Sequence, residues 1–351
     1  MFTARFPTFK ESSSPELTQL LERIRTNRIL PSFLNQAQFK LITSSKRKSQ
    51  LENEPVYATI NDQEIRLQHV ILHKDVPSSA SFLQVLKLCK TPQDWHNIPP
   101  LLEGLNNVKA KDKTAYKVAM IDAAQQAGQL SVVMQCLQQV EVNGFTLKSR
   151  TVRTQVLKAI KKAAEDAQWA EEETAKSLKR LQQVVEMLEN PAHAAPRAET
   201  LLESSLDDTV LSIPLEVAAR RAKEHLGGSD LDGLVALYTK RLVSSLSRPD
   251  AELNLPLTWQ DKGKASELTT RAARQRFFAS EKLIDRYDQV KRSLNLSEEV
   301  VGASLLTDML HNLNAVVAKI DQKLEQAVAD QLEIMETPKG AKLGNKSRVV
   351  V

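Results

Sequence analysis

Sliding the sequence against itself by 35 residues brings SFLQVLKLCKTPQDWHNIPPLLEGLNNV, residues 81–108, onto YKVAMIDAAQQAGQLSVVMQCLQQVEVN, residues 116–143. The apolar positions coincide: Leu83 with Val118, Leu86 with Ile121, Trp95 with Leu130, Ile98 with Val133, Leu102 with Leu137, Leu105 with Val140. A further 35 residues puts Ile121 on Val156 and Ala124 on Ala159, after which the longer helices of a third unit (149–168 and 171–189) drift out of step. Each unit reads as helix, break, helix, with Thr91-Pro92 breaking the first and Gly128 the second. A unit that cannot bury its apolar stripe alone must stack on its neighbours. The spacing therefore predicts a mainly α fold with a helical-hairpin, α-solenoid-like body over 79–190. Only 10 Gly and 5% aromatics speak against an all-β sandwich or barrel, while 42% hydrophobic residues suffice for a core.

Residues 1–78 read as a basic N-terminal extension. An amphipathic helix is predicted at 15–30, between Pro15 and Pro31. Three β-like runs follow, 39–43, 55–60 and 64–72, predicting a small hairpin or three-stranded meander with Lys46-Arg47-Lys48 at the tip of its first loop. Residues 191–250 read as a linker with Pro191 and Pro196, then a further hairpin (214–226 and 230–246) broken at Gly227-Gly228. Residues 251–337 predict a long antiparallel helix pair, 264–294 and about 298–334, turning at Asn295-Leu296-Ser297. The second helix would be about 55 Å long. Its apolar residues, Leu306, Leu310, Leu313, Val317, Ile320 and Leu324, step by four and three, a coiled-coil seam facing the first helix or another protein. Residues 338–351 form a basic tail.

The net charge of +5 conceals a distribution. Residues 1–50 hold nine Lys and Arg against three acids, and 338–351 hold four against none, so the body between them is net −5. Basic extensions on a slightly acidic body suit a phosphate-lined surface, where each neutralised phosphate releases counterions. The candidate RNA-binding cations are Arg5, Lys10, Arg23, Arg25, Arg28, Lys46, Arg47 and Lys48 at one end, and Lys339, Lys342, Lys346 and Arg348 at the other. A projection of helix 149–168 adds Arg150, Arg153, Lys158, Lys161 and Lys162, opposite its apolar face. Arg271, Arg274 and Arg276 beside Phe277 and Phe278 make a second cluster.

Catalytic patterns are missing. There is no phosphate-binding or dinucleotide glycine loop, no HExxH, CxxC or GxSxG. His69 and His73 share one face of a predicted strand without a third ligand. The acidic run Glu171-Glu172-Glu173 opens a helix, where the dipole favours it. Cys89 and Cys136 lie in apolar helical patterns, as packed thiols in a reducing compartment. No enzyme, metal, cofactor or small-molecule substrate is expected, no run of about 18 apolar residues exists to span a membrane, and homo-oligomers are not expected. The first ten residues carry Arg5 and Lys10 and no acid, like a mitochondrial import signal.

The spacing and the phrase IDAAQQAGQLSVVMQCLQQVEVNGF resemble pentatricopeptide-type helical hairpins, over about a third of the chain. With basic ends and no catalytic constellation, the whole is similar in style to lineage-specific mitochondrial ribosomal proteins of the fungal kind. That resemblance implies a structural subunit in the mitochondrial matrix that clamps ribosomal RNA and neighbouring ribosomal proteins, with a lean to the large subunit. The alternatives are a pentatricopeptide-type factor acting on mitochondrial transcripts and a coiled-coil scaffold binding only proteins.

Overall fold

The structure, a computed structural model, describes residues 5–61, 63–78, 80–108, 114–193, 207–248, 251, 253, 269–302 and 307–337. The chain divides into two compact units, Met1–Ala163 with Glu186–Ala198, and Ala164–Val185 with Glu199–Val351.

The first unit opens with an extended strap, then α1 (Pro15–Ile24). Ser14 caps it by accepting from the Leu17 N–H, Pro15 sits in its first turn, and Leu17, Leu21 and Ile24 are buried. The helix widens into a π-turn, Arg25–Ile29, and closes as a 3-10 turn, Leu30–Ser32, so Pro31 lies inside the last turn. Residues 39–43, expected as a strand, belong to α2 (Gln36–Thr43). Asn35 and Gln38 cap each other's backbone N–H groups, and this reciprocal box overrides the β-like run. The Lys46-Arg47-Lys48 loop is a 3-10 turn, Ser45–Arg47, running into α3 (Lys48–Asn53). The sheet is a two-stranded antiparallel hairpin, β1 (Tyr57–Ile60) and β2 (Gln63–Arg66), and His69 and His73 lie beyond it.

The hairpin body follows. It runs through α4 (Ala80–Leu88), α5 (Pro92–Trp95), α6 (Ile98–Asn107), α7 (Thr114–Gln126), α8 (Leu130–Gln138), α9 (Val140–Asn143) and α10 (Arg150–Asp166). The pairs Leu86/Ile121, Trp95/Leu130, Ile98/Val133 and Ala124/Ala159 are all buried, while Leu83, Val118, Leu102 and Leu105 are half-buried, so the 35-residue shift superposes much of the core. Gly144 ends α9 at φ +67, and a Cβ there would also run into the Asn106 side chain. His193 is buried after this body, its Nδ1 accepting from the Leu147 N–H and its Nε2 donating to the Leu137 carbonyl.

In the second unit the turn into α11 (Glu171–Met187) holds Gln168 and Trp169 at φ 52 and 58, two successive left-handed non-glycine residues. Trp169 is secured from outside its own turn: its carbonyl accepts from His225 Nε2 at 2.8 Å, and Arg220 lies 5.3 Å over its ring. Helix α12 runs Asp208–His225, six residues earlier than expected, with Pro214 inside it rather than opening it. An internal proline costs about 3 kcal/mol. Here every residue from 208 to 219 is buried, and that packing outweighs the cost. Asp230 accepts from the Val235 and Ala236 N–H groups and starts α13 (Leu234–Leu246) later than the expected residue 230.

The expected turn at Asn295-Leu296-Ser297 is absent. Helix α14 runs unbroken from Thr270 to Val301, with the Ser297 hydroxyl donating back to the Leu294 carbonyl at 2.8 Å. Helix α15 (Thr307–Glu336) packs against it antiparallel, through Arg276 with Asp330 and Lys291 with Asp321 (2.5 Å). On the seam Leu313 and Ile320 are buried, followed at the same interval by Ala327 and Ile334. Leu310, Val317 and Leu324 are half-buried, Val316 is buried beside them, and Leu306 lies outside the described residues. Helix α12 runs parallel to α14 along a polar edge: Arg286 Nε donates to both Asp208 oxygens at 2.7 Å, Gln289 Nε2 to Glu216 at 2.6 Å, and Lys223 pairs with Glu299.

Candidate nucleic-acid interface

The strap that opens the expected basic extension, residues 1–78, is bonded into the fold. The backbone N–H of Arg5 donates to Glu103, that of Lys10 to Asn97 Oδ1 (2.7 Å), and Asn97 Nδ2 returns a bond to the Lys10 carbonyl. Ser13 gives both its N–H and its hydroxyl to Asp94, each at 2.8 Å. Phe6 is buried edge-on to Phe33 and beneath Arg25, and Pro7 sits against Gly104, where a Cβ would meet it at 2.9 Å. The side chains of Arg5 and Lys10 remain exposed.

Asp94 is the anchor. Its carboxylate is fully buried and also accepts from the N–H groups of Lys90 and Thr91 and from the Thr91 hydroxyl. Burial by itself would raise its pKa. The backbone N–H groups of Ser13 and Thr91, the Ser13 hydroxyl and the Lys90 N–H outweigh that and hold the carboxyl well below the ordinary carboxylate range.

Several of the candidate cations are consumed by the fold. Arg25 donates to the Pro7 carbonyl, Glu22 and Gln63, and Arg28 to the Pro77 carbonyl at 2.6 Å. Arg23 is exposed and reaches the Asp75 carbonyl at 3.4 Å. On α10 the expected one-sided basic face is interrupted: Arg153 is 2% exposed and Lys161 7%. Arg153, Leu157, Lys161 and Ala164 extend the buried stripe of Val152, Val156, Ala159 and Ile160, so the covered arc takes in about half of this helix's circumference. Arg153 donates to the Leu147 carbonyl; Lys158 is half-buried, and Arg150 and Lys162 are exposed. Arg276 is held by Asp330 and Glu333, Arg274 stacks on Phe278, and Arg271 is exposed. Lys339, Lys342, Lys346 and Arg348 lie outside the described residues.

What remains is the turn before α3. Lys46, Arg47 and Lys48 are exposed, as is Lys40 at the end of α2. Lys48 makes a loose 3.8 Å pair with Glu52, while the side chains of Lys40, Lys46 and Arg47 have no partner among the described residues. A cavity of about 280 Å³ lies between the π-turn and β2. Arg25, Thr26, Asn27 and Gln63 line it with their polar groups engaged with one another and with backbone, and Glu22, Glu64, Arg66 and Gln68 line it as well. Among the described residues no three His, Cys, Asp or Glu side chains converge as metal ligands, and no helix is long and apolar enough to cross a membrane.

Set beside known proteins, residues 2–349 match the family described as mitochondrial ribosomal protein mS27. This chain belongs to that family. A relative in Neurospora crassa, named small ribosomal subunit protein mS27, is 28% identical over 183 residues, 52% of this chain and 46% of the relative. The chain thus spans about half the length of the curated relative it matches. The mS27 family is one of ribosomal structural proteins, not enzymes, and it locates the chain in the mitochondrion. The fungal relative agrees with the lineage read from the sequence. Nothing here supports the lean to the large subunit; the relative carries a small-subunit name.

The sequence reading passed over Tyr57 and Arg66. Strand pairing sets them opposite each other on the exposed face of the hairpin. The signal was present in the short turn after Ile60, where Asn61 takes φ 48, because a tight turn dictates the register of both strands.

Proposed function

We propose that this chain is a non-catalytic structural protein of the small subunit of the mitochondrial ribosome. It holds ribosomal RNA at the Lys46-Arg47-Lys48 turn and neighbouring ribosomal proteins through its helices. The observation that carries the RNA half is the contrast in how cations are used. Arg25, Arg28, Arg153, Arg276 and Arg286 are tied into the fold, whereas Lys46 and Arg47 stand exposed without a partner among the described residues. An exposed, unpaired cation can neutralise a phosphate without first breaking an internal bond, so counterion release is not offset. The Neurospora relative's name supports the small subunit. The exposed side chains of Arg5, Lys10, Arg150 and Lys162 are secondary candidates for the same role, with Lys339, Lys342, Lys346 and Arg348 of the tail.

The test is gradient sedimentation of mitochondrial extract at rising salt. The wild-type chain is expected to travel with the small subunit. Replacing Lys46, Arg47 and Lys48 by Glu should release it at lower salt while circular dichroism stays unchanged. Co-migration with the large subunit, or a triple variant retained as firmly as wild type, overturns the proposal.

A further inference from the structure

The β-hairpin pairs Tyr57 with Arg66 at its open end. Ile60 and Gln63 face each other across the turn, and past the open end the Leu67 N–H donates to the Val56 carbonyl at 2.8 Å. Hydrogen-bonded and non-hydrogen-bonded pairs alternate along an antiparallel ladder. Counting from Val56–Leu67, Tyr57 and Arg66 form a non-hydrogen-bonded pair, the kind in which facing side chains come closest, about 5 Å between Cβ atoms. They share the outer face, because Ala58 and Ile60 are buried while Tyr57 and Thr59 are exposed. Tyr57 is 55% exposed. Neither the phenol nor the guanidinium has a hydrogen-bond, ion-pair or ring partner among the described residues. The exposed cations Lys46 and Arg47 lie at the turn that leads through α3 to β1. Glu64, opposite Thr59, is an acid on the same face.

We propose that this outer face seats one unpaired nucleotide of RNA, its base stacked on Tyr57 and its phosphate held by Arg66. The phenol offers an apolar plane that any base can cover, and the planar guanidinium beside it matches a phosphate in two-pronged fashion. Glu64 repels phosphate on the turn side, so the backbone of the RNA runs past Arg66, away from the turn. A duplex hides its base faces, so the seat selects loops, bulges or strand ends. The inference rests on the RNA reading of the Lys46-Arg47-Lys48 turn and adds a preference for single strands that charge alone does not give.

The experiment uses the full chain with a short fluorescent oligouridylate and, separately, a blunt duplex RNA of equal length, read by anisotropy. Tyr57→Ala is expected to weaken oligouridylate binding about tenfold, within the range for one stacked base. Tyr57→Phe should stay within about twofold of wild type, because the ring is kept. Arg66→Gln should lower affinity and reduce the salt slope by about one. Duplex affinity should not respond to Tyr57→Ala, and ultraviolet crosslinking of oligouridylate should add a uridine mass to the tryptic peptide holding Tyr57. If Tyr57→Ala leaves oligouridylate binding intact while the Lys46, Arg47 and Lys48 variant loses it, the seat is refuted and the basic turn stands. If neither variant matters, both readings fall. Equal losses on oligouridylate and duplex also refute stacking. So does loss of a neighbouring protein from the particle at unchanged RNA affinity, which would make Tyr57 a protein contact.

Discussion

Replacing Asp94 tests whether the strap is part of the fold. The carboxylate accepts five hydrogen bonds, three from backbone N–H groups of Ser13, Lys90 and Thr91 and two from hydroxyls. The hydroxyls of Ser13 and Thr91 can turn elsewhere; the three amides cannot. In Asp94→Ala each amide left buried without an acceptor costs about 1–3 kcal/mol. With partial entry of water the total should be about 3–5 kcal/mol, typical of a broken buried network. For a unit of this size that is about 10 °C in Tm. Asp94→Asn should cost less, about 2 kcal/mol, because one oxygen survives while the new NH2 meets a donor. The sign of the pH dependence follows from the depressed folded-state pKa. The stabilisation is complete above the ordinary carboxylate value, about 4, and is lost as pH falls towards the lower folded value. The gap between wild type and Asp94→Asn should therefore narrow on acidification from pH 5. Thermal melts across that range, with hydrogen exchange of residues 5–14, provide the readout. An unchanged Tm and an unchanged protection of the strap in Asp94→Ala would refute the reasoning.

Burial, reinforced by the nearby Asp94 charge, pushes the Cys89 thiol up to about 12, and burial does the same to Cys136; a thiol reagent at pH 8 should label neither until denaturant is added. Burial holds His193 below its ordinary pKa, with the Leu137 carbonyl opposing and Lys148 adding to the effect. Only the unfolded state then takes up that proton as pH drops below about 6.5, so stability should fall from there, and His193→Gln should flatten the profile of Tm against pH. On the seam, Ile320→Ala should cost about 2–5 kcal/mol in chemical denaturation and half-buried Val317→Ala distinctly less; equal costs would mean the seam is misassigned.

The body was legible because its burial is periodic: Ile121 and Val156, or Trp95 and Leu130, report the same position in successive hairpins. The errors have local physical causes. Phe39 to Thr43 looks extended by propensity, but a four-residue cap at Asn35 and Gln38 decided it. Ser297 looked like a helix start because Glu298 and Glu299 follow; its hydroxyl is satisfied one turn back, and without glycine or proline nothing there stops the helix. Arg153 and Lys161 were assigned to solvent because an apolar projection counts charge as exposure, and it cannot detect that the covered arc is wider than the apolar stripe. At the candidate interface the Lys46-Arg47-Lys48 cluster could be read from sequence, though not its turn. The pairing of Tyr57 with Arg66 is a matter of register, which composition does not carry.

The strap also bears on the order in which the chain can fold. Its contacts join residues 81, 87 and 98 positions apart. Loops of that length add little thermodynamic cost, about 0.6 kcal/mol per doubling, but they cannot close until Asp94, Asn97 and Glu103 exist and lie on formed helices. A chain emerging N-terminus first can cover Phe6 early with Phe33 and Arg25, but Pro7 must wait for Gly104 of α6. The strap, made before the helices it binds, is therefore among the last segments of the first unit to find its place.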